Sequence, residues 1–192
     1  MRLFVAVEID EAARAVARAA QERLQIAVPP VLRARWVAPE NMHLTVRFIG
    51  HVDDARAQAL IEALTPPIDA APFDVELGGC GTFPTGGTPR VVWIGLKRGL
   101  ASLAQLHDAF NQRLRPFGFE PEARPFSAHL TLARVKDAPR GSGRAVRDAL
   151  SGIQVPATPW HVSHSTVFQS HPSPKGPRYV AIGRTELKTG GL

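Results

Sequence analysis

The chain has 192 residues, 44% of them apolar, enough for one large domain or two small lobes around a shared core and too many for wholesale disorder. Its 23 Lys and Arg against 17 Asp and Glu leave a net charge of +6, a mild bias toward polyanionic partners that carries no information about fold. The single cysteine, Cys80, excludes an internal disulfide or a Cys-rich metal knuckle and makes a reducing cytoplasm the expected compartment. Residues 1–10 are apolar too briefly for a signal peptide, and no run approaches the ~18 apolar residues of a membrane span.

Residues 3–9 place Leu3, Val5, Val7 and Ile9 on one side, the period-2 pattern of a strand. Asp10 then serves as N-cap for a helix over 11–26, with Val16, Ala20 and Leu24 at four-residue spacing and Val28-Pro29-Pro30 as its end. After a loop through Trp36 and Pro39, residues 43–49 read as a strand. Asp53 opens a second helix carrying Ala57, Leu60, Ile61 and Leu64, closed by Pro66-Pro67. Residues 73–77 form a third strand leading into a turn-rich stretch, 78–89. The second half predicts a strand over 91–96 and a helix over 100–114 with Leu103, Leu106, Phe110 and Leu114 on one stripe. A loop with Pro125 precedes a strand over 129–135. A polar loop (139–143), a short helix to Leu150, and strands over 160–169 and 178–187 flanking a Pro/Gly loop follow, with residues 188–192 as a frayed tail. The order strand–helix–strand–helix–strand thus occurs twice, predicting a single domain of two repeats, about 2–83 and 90–187.

Each repeat holds the same tetrapeptide at the same place: His43-Leu44-Thr45-Val46 and His129-Leu130-Thr131-Leu132, each with a proline four residues before its histidine, Pro39 and Pro125. A lone His-x-Thr would arise by chance roughly 0.4 times in a chain of this composition, so one copy means little; two copies in equivalent positions point to a shared role. On a strand, residues two apart face the same side, so His43 and Thr45 share a face while Leu44 and Val46 anchor the other, and likewise for His129 and Thr131. Two such strands related by an approximate twofold would present two imidazoles and two hydroxyls to one cleft. That set suits in-line displacement at phosphorus: a neutral histidine takes a proton from the attacking water, a protonated one supplies the leaving alkoxide, and the threonines donate to the phosphoryl oxygens. The near-equivalence of the halves leaves the order of the two roles open.

Arg47, two positions beyond Thr45, shares the predicted cleft side and is a candidate phosphate ligand, as are Arg90 and Arg134. Phe48 alternates onto the core side. Trp36, Phe83 and Phe126 are candidates for stacking on a base. His107 lies among helix leucines and reads as structural. His161 and His164, three apart in a strand, have poor geometry for one metal, and no metal site is expected. There is no phosphate-binding Gly-x-x-x-x-Gly-Lys motif, and no cofactor is implied.

These residues resemble the 2H phosphoesterase superfamily, named for its two His-x-Thr/Ser-x motifs, and within it the bacterial and archaeal RNA 2′,3′-cyclic phosphodiesterases, also called 2′–5′ RNA ligases. The likeness extends to Arg2-Leu3-Phe4-Val5-Ala6-Val7-Glu8, to Asn41-Met42 before the first motif, to Gly81-Thr82-Phe83-Pro84, and to Phe126-Ser127-Ala128 before the second, covering residues 2–187. It implies an α+β fold of two pseudo-symmetric lobes, each an antiparallel sheet with helices on the outer side, facing a central cleft. It implies hydrolysis of RNA 2′,3′-cyclic phosphate ends to 2′-phosphomonoesters, with His43 as proton donor and His129 as acceptor, and reversible, ATP-independent 2′–5′ ligation as a further capacity. The partner expected is an RNA with a 2′,3′-cyclic phosphate terminus, no membrane is involved, and the chain is expected to be a monomer. Two other readings differ in class: a phosphodiesterase acting on small cyclic phosphates derived from nucleotides or ADP-ribose, and a non-catalytic RNA-binding module.

Overall fold

Caps and alternation set the local elements of the computed structural model, which describes residues 1–28, 33–139, 141–174 and 176–189. Strand β1 (Arg2–Glu8) leads to helix α1 (Glu11–Ala27), whose N-cap Asp10 accepts from the Ala13 N–H at 2.7 Å. Its buried stripe is Ala13, Ala17, Ala20, Gln21 and Leu24; Ala20 and Leu24 lie on it as expected, while Val16 is only half-buried at its edge. Pro29 and Pro30, the expected stop, lie outside the described residues, as do residues 190–192 of the expected tail. The segment through Trp36, expected as a loop, forms strand β2 (Arg33–Trp36), and a 3₁₀ turn at Pro39–Asn41 follows. Then come β3 (His43–His51), α2 (Asp54–Leu64) capped by Asp53, the two-residue β4 (Ile68–Asp69) and β5 (Phe73–Phe83).

Strand β5 runs through the glycine-rich segment expected as turns. Its register slips between Leu77 and Cys80, with Gly79 at φ 70°, and a Cβ on Gly81 would sit 2.4 Å from the Trp93 ring. The glycines thus let the strand continue beneath an indole rather than ending it. The remaining elements are β6 (Val91–Arg98), α3 (Leu100–Leu114), β7 (Leu130–Asp137), α4 (Ser142–Ser151), β8 (Pro159–Val162), β9 (His164–His171) and β10 (Arg178–Lys188). The single strand expected over 160–169 is two strands, broken at Ser163, that belong to different parts of the sheet.

The fold is α+β, with strand order β4-β10-β9-β1-β3-β7-β6-β5-β8 and β2 beside β7. All pairings are antiparallel except β4–β10. The two halves join where Leu44 of β3 pairs with Leu130 of β7. Each half takes its third strand from the other repeat: β5 lies beside β6, and β9 beside β1. The helices are exchanged as well. Helix α3 packs on β3 and α2, whereas α1 packs with α4, which covers β5. Leu3, Val5, Leu44, Val46, Leu130 and Leu132 are buried in the core, while His43, Thr45 and Thr131 line the open face; His129 is half-buried and is not among the residues that line the cavity there. Among the described residues no helix is long and apolar enough to cross a membrane.

Candidate active site

Both motifs carry the same local device. In β3 the partners of Thr45 and Arg47 are Ala6 and Val5, so Val46 is an extra residue, a β-bulge. In β7 the partners of Thr131 and Ala133 are Trp93 and Val92, so Leu132 is the extra residue at the equivalent place. A bulge reverses the alternation beyond it. The burial pattern is accordingly shared: His half-buried, Leu buried, Thr half-buried, then two buried residues in succession (Val46 and Arg47; Leu132 and Ala133), then an exposed one (Phe48; Arg134).

This reversal corrects two expectations. Arg47 does not face the cleft: it is 4% exposed, and its guanidinium donates to Glu122 Oε1 at 2.9 Å and to the Glu120 carbonyl at 2.6 Å. Phe48, expected in the core, is 46% exposed and lines the cleft. Arg134, five residues after His129, is brought into the cleft by the second bulge. The Arg90 side chain is exposed and is not among the cleft-lining residues, while its backbone N–H donates to the Phe83 carbonyl.

The cleft holds a cavity of about 500 Å³, with His43, Thr45, Thr131 and Arg134 on its walls beside Arg2 and Phe4. Each histidine is fixed by the carbonyl two residues before it: His43 Nδ1 donates to Asn41 O at 2.8 Å and His129 Nδ1 to Ser127 O at 2.7 Å. With the proton on Nδ1, Nε2 of the neutral ring is left as the base. In His43 that nitrogen lies 3.1 Å from Thr45 Oγ1, whose hydroxyl donates to it.

His43 is packed against Phe4 (ring centroids 5.0 Å apart) and edge-on to Tyr179 (5.2 Å); His129 is edge-on to Phe83 (5.0 Å) and near Trp93 (6.3 Å). Burial among these rings pushes the His43 imidazole down to about 4, against the opposing pull of the Asn41 carbonyl and with help from the Arg134 and His129 charges; Glu8 opposes weakly. Burial lowers His129 too, resisted by the Ser127 carbonyl and assisted by Arg134. One guanidinium therefore acts on both imidazoles across the cleft.

Of the stacking candidates, Phe126 lies flat on His107 (centroids 4.4 Å, 16° between planes) and Trp36 packs against the core. Phe4 and Tyr179, which sequence reasoning missed, line the cavity instead. Phe4 carried a readable signal, a large apolar side chain out of phase with the Leu3, Val5, Val7 stripe; Tyr179 carried none. Among the described residues no three His, Cys, Asp or Glu side chains are grouped to hold a metal ion; His161 pairs with Asp74 at 3.0 Å, and His164 lies 3.9 Å from Glu8.

The family model described as the 2′-5′ RNA ligase superfamily matches residues 10–172, a span that includes both motifs. The chain belongs to this superfamily. It is 30% identical over 193 residues to an RNA 2′,3′-cyclic phosphodiesterase of Thermotoga maritima, covering 100% of this chain and 98% of that one. An RNA 2′,3′-cyclic phosphodiesterase of Archaeoglobus fulgidus is 37% identical over 136 residues, 71% of this chain and 73% of that one. Among solved structures, a Thermus thermophilus protein superimposes with a TM-score of 0.75 at 29% identity, covering the whole of both chains. E. coli LigT complexed with 3′-AMP superimposes with a TM-score of 0.71 at 25% identity over 97% of each chain. The two solved structures share the α+β fold of this chain.

Proposed function

We propose that this chain hydrolyses RNA 2′,3′-cyclic phosphate ends to 2′-phosphomonoesters, with His43 and His129 as the acid–base pair. The observation that carries this reading is the matched anchoring of the two imidazoles, each with Nδ1 tied to the backbone carbonyl two residues before it, which turns Nε2 away from that carbonyl; in His43 the Nε2 meets the Thr45 hydroxyl. The names of the superfamily relatives support the reaction class.

In the proposed reaction His129 Nε2 takes a proton from water as its oxygen bonds to phosphorus. The P–O3′ bond breaks, and His43 Nε2 gives its proton to the leaving O3′. Thr45, Thr131 and Arg134 bind the non-bridging oxygens, where negative charge grows in the transition state. His43 is neutral in the resting cleft because burial lowers it to about 4. The anionic phosphate of an incoming substrate offsets that lowering, and an imidazolium of low pKa is a strong acid toward an alkoxide leaving group. With an RNA 5′-hydroxyl in place of water as the nucleophile, the same forward steps break P–O3′, protonate O3′ and join two ends through a 2′–5′ bond without ATP. A cavity of about 500 Å³ accommodates about one nucleotide, so recognition would centre on the terminal residue.

The test is turnover of an oligonucleotide ending in a 2′,3′-cyclic phosphate, in EDTA, with the product identified as the 2′-monoester. Activity that vanishes on chelation and returns with a divalent metal would overturn the mechanism. Hydrolysis confined to mononucleotide or ADP-ribose cyclic phosphates would replace RNA by a small-molecule substrate, and binding without turnover would replace the enzyme by an RNA-binding module.

A further inference from the structure

The bulges free one carbonyl in each motif, and each is met by a buried polar side chain from the helix behind it. Val46 O accepts from His107 Nδ1 of α3 at 2.7 Å. Leu132 O accepts from Gln21 Nε2 of α1 at 3.0 Å and from the Val37 N–H at 2.9 Å, and the same Gln21 amide donates to Val37 O at 2.9 Å. Gln21 is 5% exposed and His107 7%, and the acid–base chemistry uses neither. They are rare polar groups in helix faces otherwise made of Ala, Leu and Phe. Each added donor to a buried carbonyl stabilises the chain geometry that presents it; at Leu132 the Gln21 amide acts beside the Val37 N–H and also holds Val37 O, so it ties the bulge to the segment after β2.

We propose that Gln21 and His107 are matched positioning residues. Each holds the bulge of one motif, and thereby holds the reversal of side-chain alternation that delivers Arg134 and Phe48 to the cleft. Without the reversal, the residues at the cleft-facing place would be Ala133 and Arg47 rather than Arg134 and Phe48. The role assigned to the cleft rests on the phosphoesterase reading, but the device is a property of the two strands and is tested by binding alone.

The experiment is a double-mutant cycle read by calorimetric binding of 3′-AMP, which needs no turnover and so separates a failure of this device from a failure of the proposed reaction. Arg134→Met should weaken binding about tenfold or more, the worth of a lost charge-assisted hydrogen bond. Gln21→Met should weaken it by most of the same factor, and adding it to Arg134→Met should cost almost nothing further, since Gln21 acts through Arg134. Gln21→His, which keeps a donor at the ε position, should restore wild-type affinity. An additive cycle, or a Gln21→Met protein of unchanged affinity, overturns the proposal. Should Gln21→Met fail to fold, the cycle of His107→Leu with Phe48→Ala decides in the same way, with non-additivity expected and additivity fatal.

Discussion

Leu44 lies opposite Leu130 in the antiparallel ladder that joins the two halves of the sheet, and this pairing sets the relative placement of the two motifs proposed as the acid–base pair. Continuing the ladder one step each way sets His43 opposite Thr131 and Thr45 opposite His129. The two histidines therefore stand on a diagonal, roughly 7–8 Å apart at the strand backbone, with a threonine at each remaining corner. A phosphate centred on that quadrilateral meets an imidazole from either side, the arrangement that in-line displacement requires.

Both imidazoles are lowered from the ordinary value near 6.5, so the bell-shaped pH dependence of kcat/KM should have both limbs on the acid side of that value. His43→Ala should remove one limb and His129→Ala the other, each with a rate loss of roughly 10²–10⁴. On a nitrophenyl ester, whose leaving group needs no proton, His43→Ala should recover much of its rate and His129→Ala should not. Equal losses on that ester would remove support for the donor–acceptor assignment.

Thr45→Ala and Thr131→Ala should each reduce kcat/KM by a factor corresponding to ~1.5–3 kcal/mol while leaving the melting temperature close to wild type, because both hydroxyls face the cleft rather than the core. Wild-type rates in both variants would exclude the threonines from phosphate binding.

The lowered His43 also makes stability depend on pH. Its folded-state value of about 4 lies below the unfolded one, so the contribution is present above pH 6.5 and is lost as pH falls toward 4, where the unfolded chain takes up a proton that the folded chain refuses. With allowance for partial exposure, about 2–3 kcal/mol of urea stability should disappear over that window in the wild type. His43→Gln should flatten this part of the profile; an unchanged slope would show that the ring is not desolvated as its neighbours imply.

Salt should weaken binding of an RNA more steeply than binding of a mononucleotide cyclic phosphate. Each additional Lys or Arg contact to a single strand adds about 0.7 to the slope of log K against log salt. Arg35 and Arg178 are exposed and do not line the cavity, so they are the first arginines to test for such additional contacts. Equal slopes would confine recognition to the terminal nucleotide.

The histidines, the threonines and the order of elements were legible because each is a local pattern: a repeated tetrapeptide, a cap, an alternation. Asp10 and Asp53 both cap helices as their positions suggest. The placement of Arg47 and Phe48 was not legible, since alternation continues smoothly through His43 to Phe48 and nothing in those letters announces an extra residue at Val46. The bulge depends on a partner strand and on His107, 61 positions away in the chain. The break at Ser163 was hidden for a related reason. Residues 160–169 are uniformly strand-forming, and only the pairing of Val162 with Phe73 and of His164 with Glu186 divides them. Trp36 was masked by the prolines around it, and its strand exists because β7 offers an edge.

Half of this chain is not half of this molecule. Because β5 completes the sheet half built on β6 and β7, and β9 the one built on β1 and β3, a cut in the exposed turn near Gly86 would leave two fragments that each lack an inner strand. Neither fragment alone would own a finished cleft wall, so activity recovered from separately made fragments should rise with the product of their concentrations, as in a bimolecular reassembly. Two such exchanged halves held by one covalent chain act as a dimer that dilution cannot dissociate.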